Sequence, residues 1–211
     1  PTRNKFGTCG PAVPLMKVRI SDEGEIQATS PSQTPGYWNK PELTKSLFTE
    51  DGWVRTGDIG HIDEEGYLVI TDRLKDMFKT SGGKYIAPQQ IETLLKEDIF
   101  FEQVAAIGDG KNFVSAIIVP SFEQLELYCE KNGITYSSRD ELVNKPEILK
   151  LYRERIDART EALGQVEKVK RFTLLANEFS QENGELTPTF KLKRKVITER
   201  YRNVIDSMYK D

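Results

Sequence analysis

Asp58 and Arg73 are the first residues whose types and spacing point to chemistry. Asp58 closes the run Gly52-Trp53-Val54-Arg55-Thr56-Gly57-Asp58, and Arg73 lies in Asp72-Arg73-Leu74-Lys75-Asp76, one hairpin-like interval later. Gly57 lets the backbone turn tightly beside the Asp58 carboxylate, which could accept two hydrogen bonds from a vicinal diol such as a ribose offers. A carboxylate and a guanidinium together would satisfy the diol's donors and acceptors. The ordinary alternative is a turn aspartate in a surface salt bridge. Farther along, Ser81-Gly82-Gly83-Lys84-Tyr85 reads as a glycine hairpin whose bare backbone a ligand could approach, or simply as a tight turn. Lys191 stands in Leu186-Thr187-Pro188-Thr189-Phe190-Lys191-Leu192-Lys193-Arg194-Lys195. On charge alone that run is a basic helix start, either solvated or a nucleic-acid-binding cluster.

The elements that must position these residues fall into two stretches. Val13, Leu15, Val18 and Ile20, the turn Ser21-Asp22-Glu23-Gly24, and residues 25–28 predict a hairpin. A Pro/Ser/Gly-rich loop over 30–41 leads to a short helix over 41–48, with Leu43 and Leu47 on one face. Short strands are expected over 53–56, 60–63 and 67–71, with Tyr67 packing in the sheet and His61 on a strand surface. A small β-rich subdomain therefore ends near Arg73.

The second stretch has a different rhythm. A hairpin pairs 77–80 with 84–87, and Pro88 opens a helix with Ile91, Leu94 and Leu95 inward. Strands over 103–107 and 113–119 meet at the Asp109-Gly110 turn. Ser121/Gln124 and Ser138/Glu141 have capping-box spacing. A long helix runs from Pro146 to Gly164, a strand covers 169–175, and a last helix spans about Lys191 to Met208. The fold class is α+β: a small β-rich subdomain, then an α+β domain with a small sheet flanked by helices.

Composition narrows the function. The chain has 211 residues, which fits one large or two small domains. With 30% charged residues nearly balanced to net −3, it lacks the basic excess of a general nucleic-acid binder, so no nucleic-acid partner is expected. No apolar run approaches the roughly 20 residues that cross a bilayer, and no signal-peptide pattern is present. A cytoplasmic protein is expected, with peripheral membrane association left open. Cys9 and Cys129 have neither metal-ligand nor redox-pair spacing, and a single histidine disfavours a zinc site or a Ser-His-Asp triad.

The whole ordered set resembles the adenylate-forming enzymes, which include acyl-CoA synthetases, luciferases and peptide-synthetase adenylation domains. Within them it looks most like the long-chain fatty acid–CoA ligases. The stretches that carry the resemblance are Gly24-Glu25-Ile26, Gly36-Tyr37-Trp38, Gly52 to Gly60, Gly66-Tyr67-Leu68, Asp72 to Pro88 and Leu186 to Ile197.

The resemblance implies that residues 1–74 end a large AMP-binding domain and that 75–211 form a small mobile C-terminal domain. Asp58 and Arg73 would hold the ribose hydroxyls of ATP and of the acyl-adenylate, with Asp72 where many relatives have Gly. Lys75 would be the hinge about which the small domain swings. Gly82, with Gly83 as the rival alignment, would lie by the pantetheine channel; Lys84 would help hold CoA phosphates or be a plain surface lysine.

Lys191 is the implied catalytic residue, in Thr-Phe-Lys where many relatives have Ser-Gly-Lys. Its charge would bridge the attacking carboxylate and the α-phosphoryl oxygens during adenylation. The implied substrates are a fatty acid, ATP and CoA. ATP also implies Mg2+, for which this sequence shows no ligand set. The family's phosphate-binding loop and its Tyr-Gly-x-Thr-Glu motif are not found, so the chain, opening on Pro1, is expected to be the C-terminal part of a longer enzyme and inactive alone. The alternatives are another adenylate-forming enzyme (a medium-chain acyl-CoA ligase or a luciferase-like oxidase) and a non-catalytic module using the basic cluster near residue 191.

Overall fold

A computed structural model describes residues 4–210, and the chain divides after Met77 into two compact units. Pro1, on which the reading of the chain's start rests, lies outside the described residues.

In the first unit the strands are β1 (Lys17–Ile20) and β2 (Glu25–Thr29), followed by α1 (Pro41–Leu47), then β3 (Val54–Ile62) and β4 (Leu68–Arg73). The strands form one antiparallel sheet in the order β1-β2-β3-β4. The first hairpin is shorter than the apolar alternation suggests. Val13 and Leu15 lie before it and are exposed, and Leu15 takes a positive φ of 70°, outside the β region that a non-glycine strand residue occupies. Pro41 sits at the start of α1, where its missing N–H costs no helical hydrogen bond. Leu47 is half-buried, whereas Leu43 is exposed.

The two strands expected over 53–56 and 60–63 are one nine-residue strand, β3, that runs through Gly57 and Asp58. Asp58 is therefore a strand residue and not a turn aspartate. Gly57 takes φ +72°, which bends the strand without ending it. Side chains from β2 and from β3 itself hold the bend. The Glu25 carboxylate accepts from the Gly57 amide (3.1 Å), the Thr56 hydroxyl donates to the Ile26 carbonyl (2.7 Å), and the same hydroxyl accepts from the Asp58 amide (3.1 Å). The register shifts between Ile59 and Gly60, as a bulge requires. Gly60 has no room for a side chain there: a Cβ would lie 2.1 Å from the Val69 carbonyl oxygen. His61 is exposed on β3 as expected.

The second unit starts with the hairpin β5 (Phe78–Lys79) and β6 (Tyr85–Ile86) and the helix α2 (Pro88–Lys96). It continues with β7 (Phe101–Ile107), β8 (Val114–Pro120), α3 (Phe122–Asn132), α4 (Arg139–Leu142), α5 (Pro146–Arg159), β9 (Val169–Leu174), α6 (Arg194–Arg200) and α7 (Arg202–Met208). The main sheet runs β7-β8-β9, with β8 antiparallel to β7 and parallel to β9. The parallel pair needs a long crossover, which α3, α4 and α5 supply. Central β8 is buried throughout and reads as a nearly unbroken apolar run, as a strand covered on both faces should. Helix α2 contacts β7, α5 contacts β9, α6 contacts β7 and α7 contacts β9. The core includes Ile86, Ile91, Leu95, Ile117, Ile118, Leu125, Ile148, Ile156 and Ile197. Tyr152 is fully buried with them, its hydroxyl donating to the Phe100 carbonyl at 2.6 Å.

Three helix ends differ from expectation. Ser121 makes no side-chain cap, so the Ser121/Gln124 spacing is not a capping box. Ser138 does accept from the Glu141 amide (3.2 Å), but the Glu141 carboxylate turns to the Ser137 amide and Lys145 instead of closing the box. Helix α5 ends at Arg159, earlier than Gly164; the buried Thr160 closes it, its amide (3.0 Å) and its hydroxyl (2.7 Å) both donating to the Ile156 carbonyl. Gly133, at a left-handed φ of 65°, ends α3.

Candidate functional site

Strand pairing brings Asp58 and Arg73 together. They are direct cross-strand partners on β3 and β4, and the Arg73 Nε lies 2.7 Å from the Asp58 Oδ1. Asp58 is 22% exposed and Arg73 64% exposed, so the pair sits at a solvent-facing edge. Such a pair contributes at most about 1 kcal/mol to stability. Its fixed register, however, presents a carboxylate and a guanidinium side by side, with acceptor and donor capacity beyond the single contact between them. Glu25 is the residue sequence reasoning passed over here. Only 4% exposed, it receives the Gly57 amide and also pairs with Arg55 (3.2 Å), fixing the bend that aims Asp58. Its place in Gly24-Glu25-Ile26, among the stretches that carry the resemblance, was the available signal.

The chain then leaves β4 through a turn at Leu74, Lys75 and Asp76. The Leu74 amide donates to the Gly57 carbonyl (2.8 Å) and the Asp76 amide to the Arg73 carbonyl (2.9 Å). Lys75 is exposed on this turn, shortly before Met77, after which the two units divide.

Gly82 and Gly83 form the tip between β5 and β6, and their backbone needs differ. Gly83 adopts φ +79°, which explains a glycine there by conformation alone. Gly82 has no positive φ, and a Cβ on it would meet only the Thr80 hydroxyl at 3.9 Å. The hairpin is anchored at its neck. The Thr80 amide donates to the Lys84 carbonyl (2.9 Å), the Ser81 amide to the Lys111 carbonyl (3.0 Å), and the Ser81 hydroxyl to Asn112 (2.8 Å). Lys84 is exposed beside the tip.

Lys191 is not the start of the last helix. It lies in an exposed loop closed by a bridge between Leu186 and Leu192. Pro188 has no amide to give a helix, and Phe190 adopts φ 58°, so the chain cannot wind until Arg194 opens α6. Within the loop the Thr187 amide donates to the Lys191 carbonyl (2.8 Å), and the Lys191 amide donates to the Thr187 hydroxyl (3.0 Å).

The expected single helix to Met208 is two, meeting at Tyr201. The Tyr201 amide still donates to the Ile197 carbonyl, and its carbonyl accepts from the Ile205 amide, so the junction is a kink with its ladder largely kept. The Tyr201 hydroxyl is pushed up to about pKa 12, first by burial and then by its hydrogen bond to Glu185. The basic cluster is also broken up: the Arg194 Nη1 contacts the Glu92 carboxylate and the Ala106 carbonyl (2.7 Å), leaving Lys193 and Lys195 as its exposed members.

Among the described residues no group of three His, Cys, Asp or Glu side chains could hold a metal ion. Mg2+ that accompanies ATP is usually held by one or two carboxylates and the substrate's own phosphates, and no step below is routed through it. No helix among them is long and apolar enough to cross a membrane.

Comparison with known proteins gives the family. Residues 75–211 match the AMP-binding enzyme C-terminal domain. The chain is 35% identical over 206 residues to the long-chain-fatty-acid–CoA ligase FadD15 of Mycobacterium tuberculosis, a match covering 97% of this chain and 34% of that protein. It is 35% identical over 216 residues to the human long-chain-fatty-acid–CoA ligase 6, covering 96% and 31%. The chain thus spans about a third of the length of these relatives. Among solved structures it is similar to the A-PCP didomain of a carboxylic acid reductase from Segniliparus rugosus in complex with AMP, with TM-score 0.68, 25% identity, and coverage of 94% of this chain and 28% of that one. The chain belongs to the family of AMP-binding, adenylate-forming enzymes, through the C-terminal domain matched by its residues 75–211.

Proposed function

We propose that this chain is part of an ATP-dependent long-chain fatty acid–CoA ligase. In the complete enzyme a fatty acid carboxylate attacks the α-phosphorus of ATP, and pyrophosphate leaves. The CoA thiol then attacks the acyl carbon, and AMP leaves. The first step turns a poor leaving group into a good one. The observation that carries the reading is the Asp58–Arg73 cross-strand pair, a ready partner for a ribose diol, in a chain whose named relatives are long-chain ligases.

In this reading residues 1–74 complete the large nucleotide-binding domain, and 75–211 are the small domain that swings about Lys75. Its exposed position on a turn ahead of the division between the units supports that role. Lys191 serves adenylation, since an ammonium on an exposed loop can meet both the carboxylate and the α-phosphoryl oxygens as they approach. After the swing, the Gly82 hairpin admits the pantetheine arm, with Lys84 toward the CoA phosphates.

The glycine at 82 supports this assignment because neither its backbone conformation nor any neighbour among the described residues requires it. Gly82→Ala is therefore expected to fold normally and to slow only the thioester step. A methyl group crowding a filled channel costs about 1–3 kcal/mol. Unaltered thioester formation from preformed acyl-adenylate by the full-length variant would remove Gly82 from the channel. The basic binding module is the weaker reading, because Arg194 is committed to Glu92 and Ala106.

The 211 residues alone are expected to form no acyl-CoA from fatty acid, ATP and CoA, while the protein extended to the length of its relatives does. Turnover by the purified 211-residue chain, followed as AMP release, would refute the reading of it as part of a longer ligase.

A further inference from the structure

The loop that carries Lys191 stands on a buried carboxylate. Glu185 immediately precedes the loop and is 0% exposed, although Thr189, Phe190 and Lys191 are exposed at its tip. A buried carboxylate costs several kcal/mol of desolvation unless it is paired and hydrogen-bonded. Here it has three partners. The Arg200 Nε lies at 3.3 Å, the Tyr201 hydroxyl donates at 3.0 Å, and the Ser180 amide donates at 2.9 Å. The backbone of the same residue closes the loop's neck, its carbonyl accepting from the Lys193 amide at 2.7 Å. One residue thus ties the entry of the loop, its exit and the kink between α6 and α7 into one unit.

The exit has a second anchor of the same kind. Arg194 reaches the Glu92 carboxylate on α2 and the Ala106 carbonyl on β7, and Glu92 also accepts from the Ala106 amide (2.8 Å). An apolar plug at the neck would stabilise the unit at least as well as buried ions do. Directional hydrogen bonds add what a plug lacks: they fix the register of Leu186 against Leu192 and hence where the lysine emerges.

We propose that Glu185 is a positioning residue for adenylation: with Arg200 and Tyr201 it holds the neck of the 186–193 loop so that Lys191 is delivered in one geometry. The inference rests on the reading of Lys191 given above. Glu185 touches no substrate. It acts through the lysine, and misplacing a catalytic group by about 1 Å costs on the order of 100-fold in rate.

The test uses the full-length ligase and separates the half-reactions. Glu185→Gln keeps the shape and removes the charge. It is expected to slow single-turnover acyl-adenylate formation by about ten- to a hundredfold, while thioester formation from supplied acyl-adenylate and CoA keeps the parent rate. Tyr201→Phe removes only the hydroxyl donor and is expected to give a smaller loss with the same selectivity; it decides the matter if Glu185→Gln does not fold. In a Lys191→Ala background, adding Glu185→Gln should lower the residual adenylation no further, because the carboxylate works only through the lysine. A purely structural role would instead slow both half-reactions and add to Lys191→Ala. That result, or parent-rate adenylation by Glu185→Gln where Lys191→Ala slows it, overturns this inference alone. Parent-rate adenylation by Lys191→Ala itself overturns the Lys191 reading and this inference with it.

Discussion

Replacing Lys191 by Ala in the full-length protein should cut acyl-adenylate formation by about 10²–10³-fold, the loss typical when one preorganised group is removed from developing oxyanion charge. The step brings a carboxylate anion against an already anionic phosphate, so a cation between them matters more in the transition state than in either bound reactant. The variant should fold like the parent. Lys191 is exposed on its loop, it has no salt bridge among the described residues, and the hydrogen bonds that shape the loop are made by its backbone. Fatty-acid-dependent exchange of pyrophosphate into ATP measures the step directly. Exchange at the parent rate would show that the charge is supplied from elsewhere.

Asp58→Ala is expected to weaken nucleotide binding in the full-length protein. A hydrogen bond to a charged group is worth about 1.5–3 kcal/mol, so a lost carboxylate–diol contact should weaken ATP binding by about ten- to a hundredfold. Unfolding stability should change little, because the Asp58–Arg73 pair is solvent-facing and contributes at most about 1 kcal/mol. That contrast separates a ligand role from a structural one. Titration calorimetry with a non-hydrolysable ATP analogue reads the affinity, and chemical denaturation reads the stability. Unchanged affinity, or a stability loss larger than the affinity loss, would return Asp58 to the class of ordinary surface ion pairs.

The sequence carries much of this fold because its signals are local. Pro88 and Pro146 sit at helix starts, Gly133 ends α3, and the largely apolar strands β7 and β8 flank the Asp109-Gly110 turn. The errors arise where distant residues decide a local conformation. Gly57-Asp58 has turn composition, yet Glu25 and Ile26 on β2 hold it in a strand. Residues 191–193 have helix composition, yet Pro188, the left-handed Phe190 and the Glu185 carbonyl keep them in a loop.

The candidate site divides along the same line. Asp58, Arg73, Lys75, Gly82 and Lys191 are picked out as candidates by order and type. Their supports are not, because Glu25, Glu92 and Glu185 are ordinary surface letters until folding buries them. The pairing of Asp58 with Arg73 follows from the bulged register of β3 on β4, which no sequence pattern states.

The central claim is a division of labour within one small domain, with Lys191 for adenylation and the Gly82 hairpin for thioester formation. It is tested most directly by giving full-length Lys191→Ala preformed acyl-adenylate and CoA and measuring acyl-CoA. The account predicts the parent rate, since the lysine's work is finished once pyrophosphate has left. A thioester step as impaired as adenylation would contradict it.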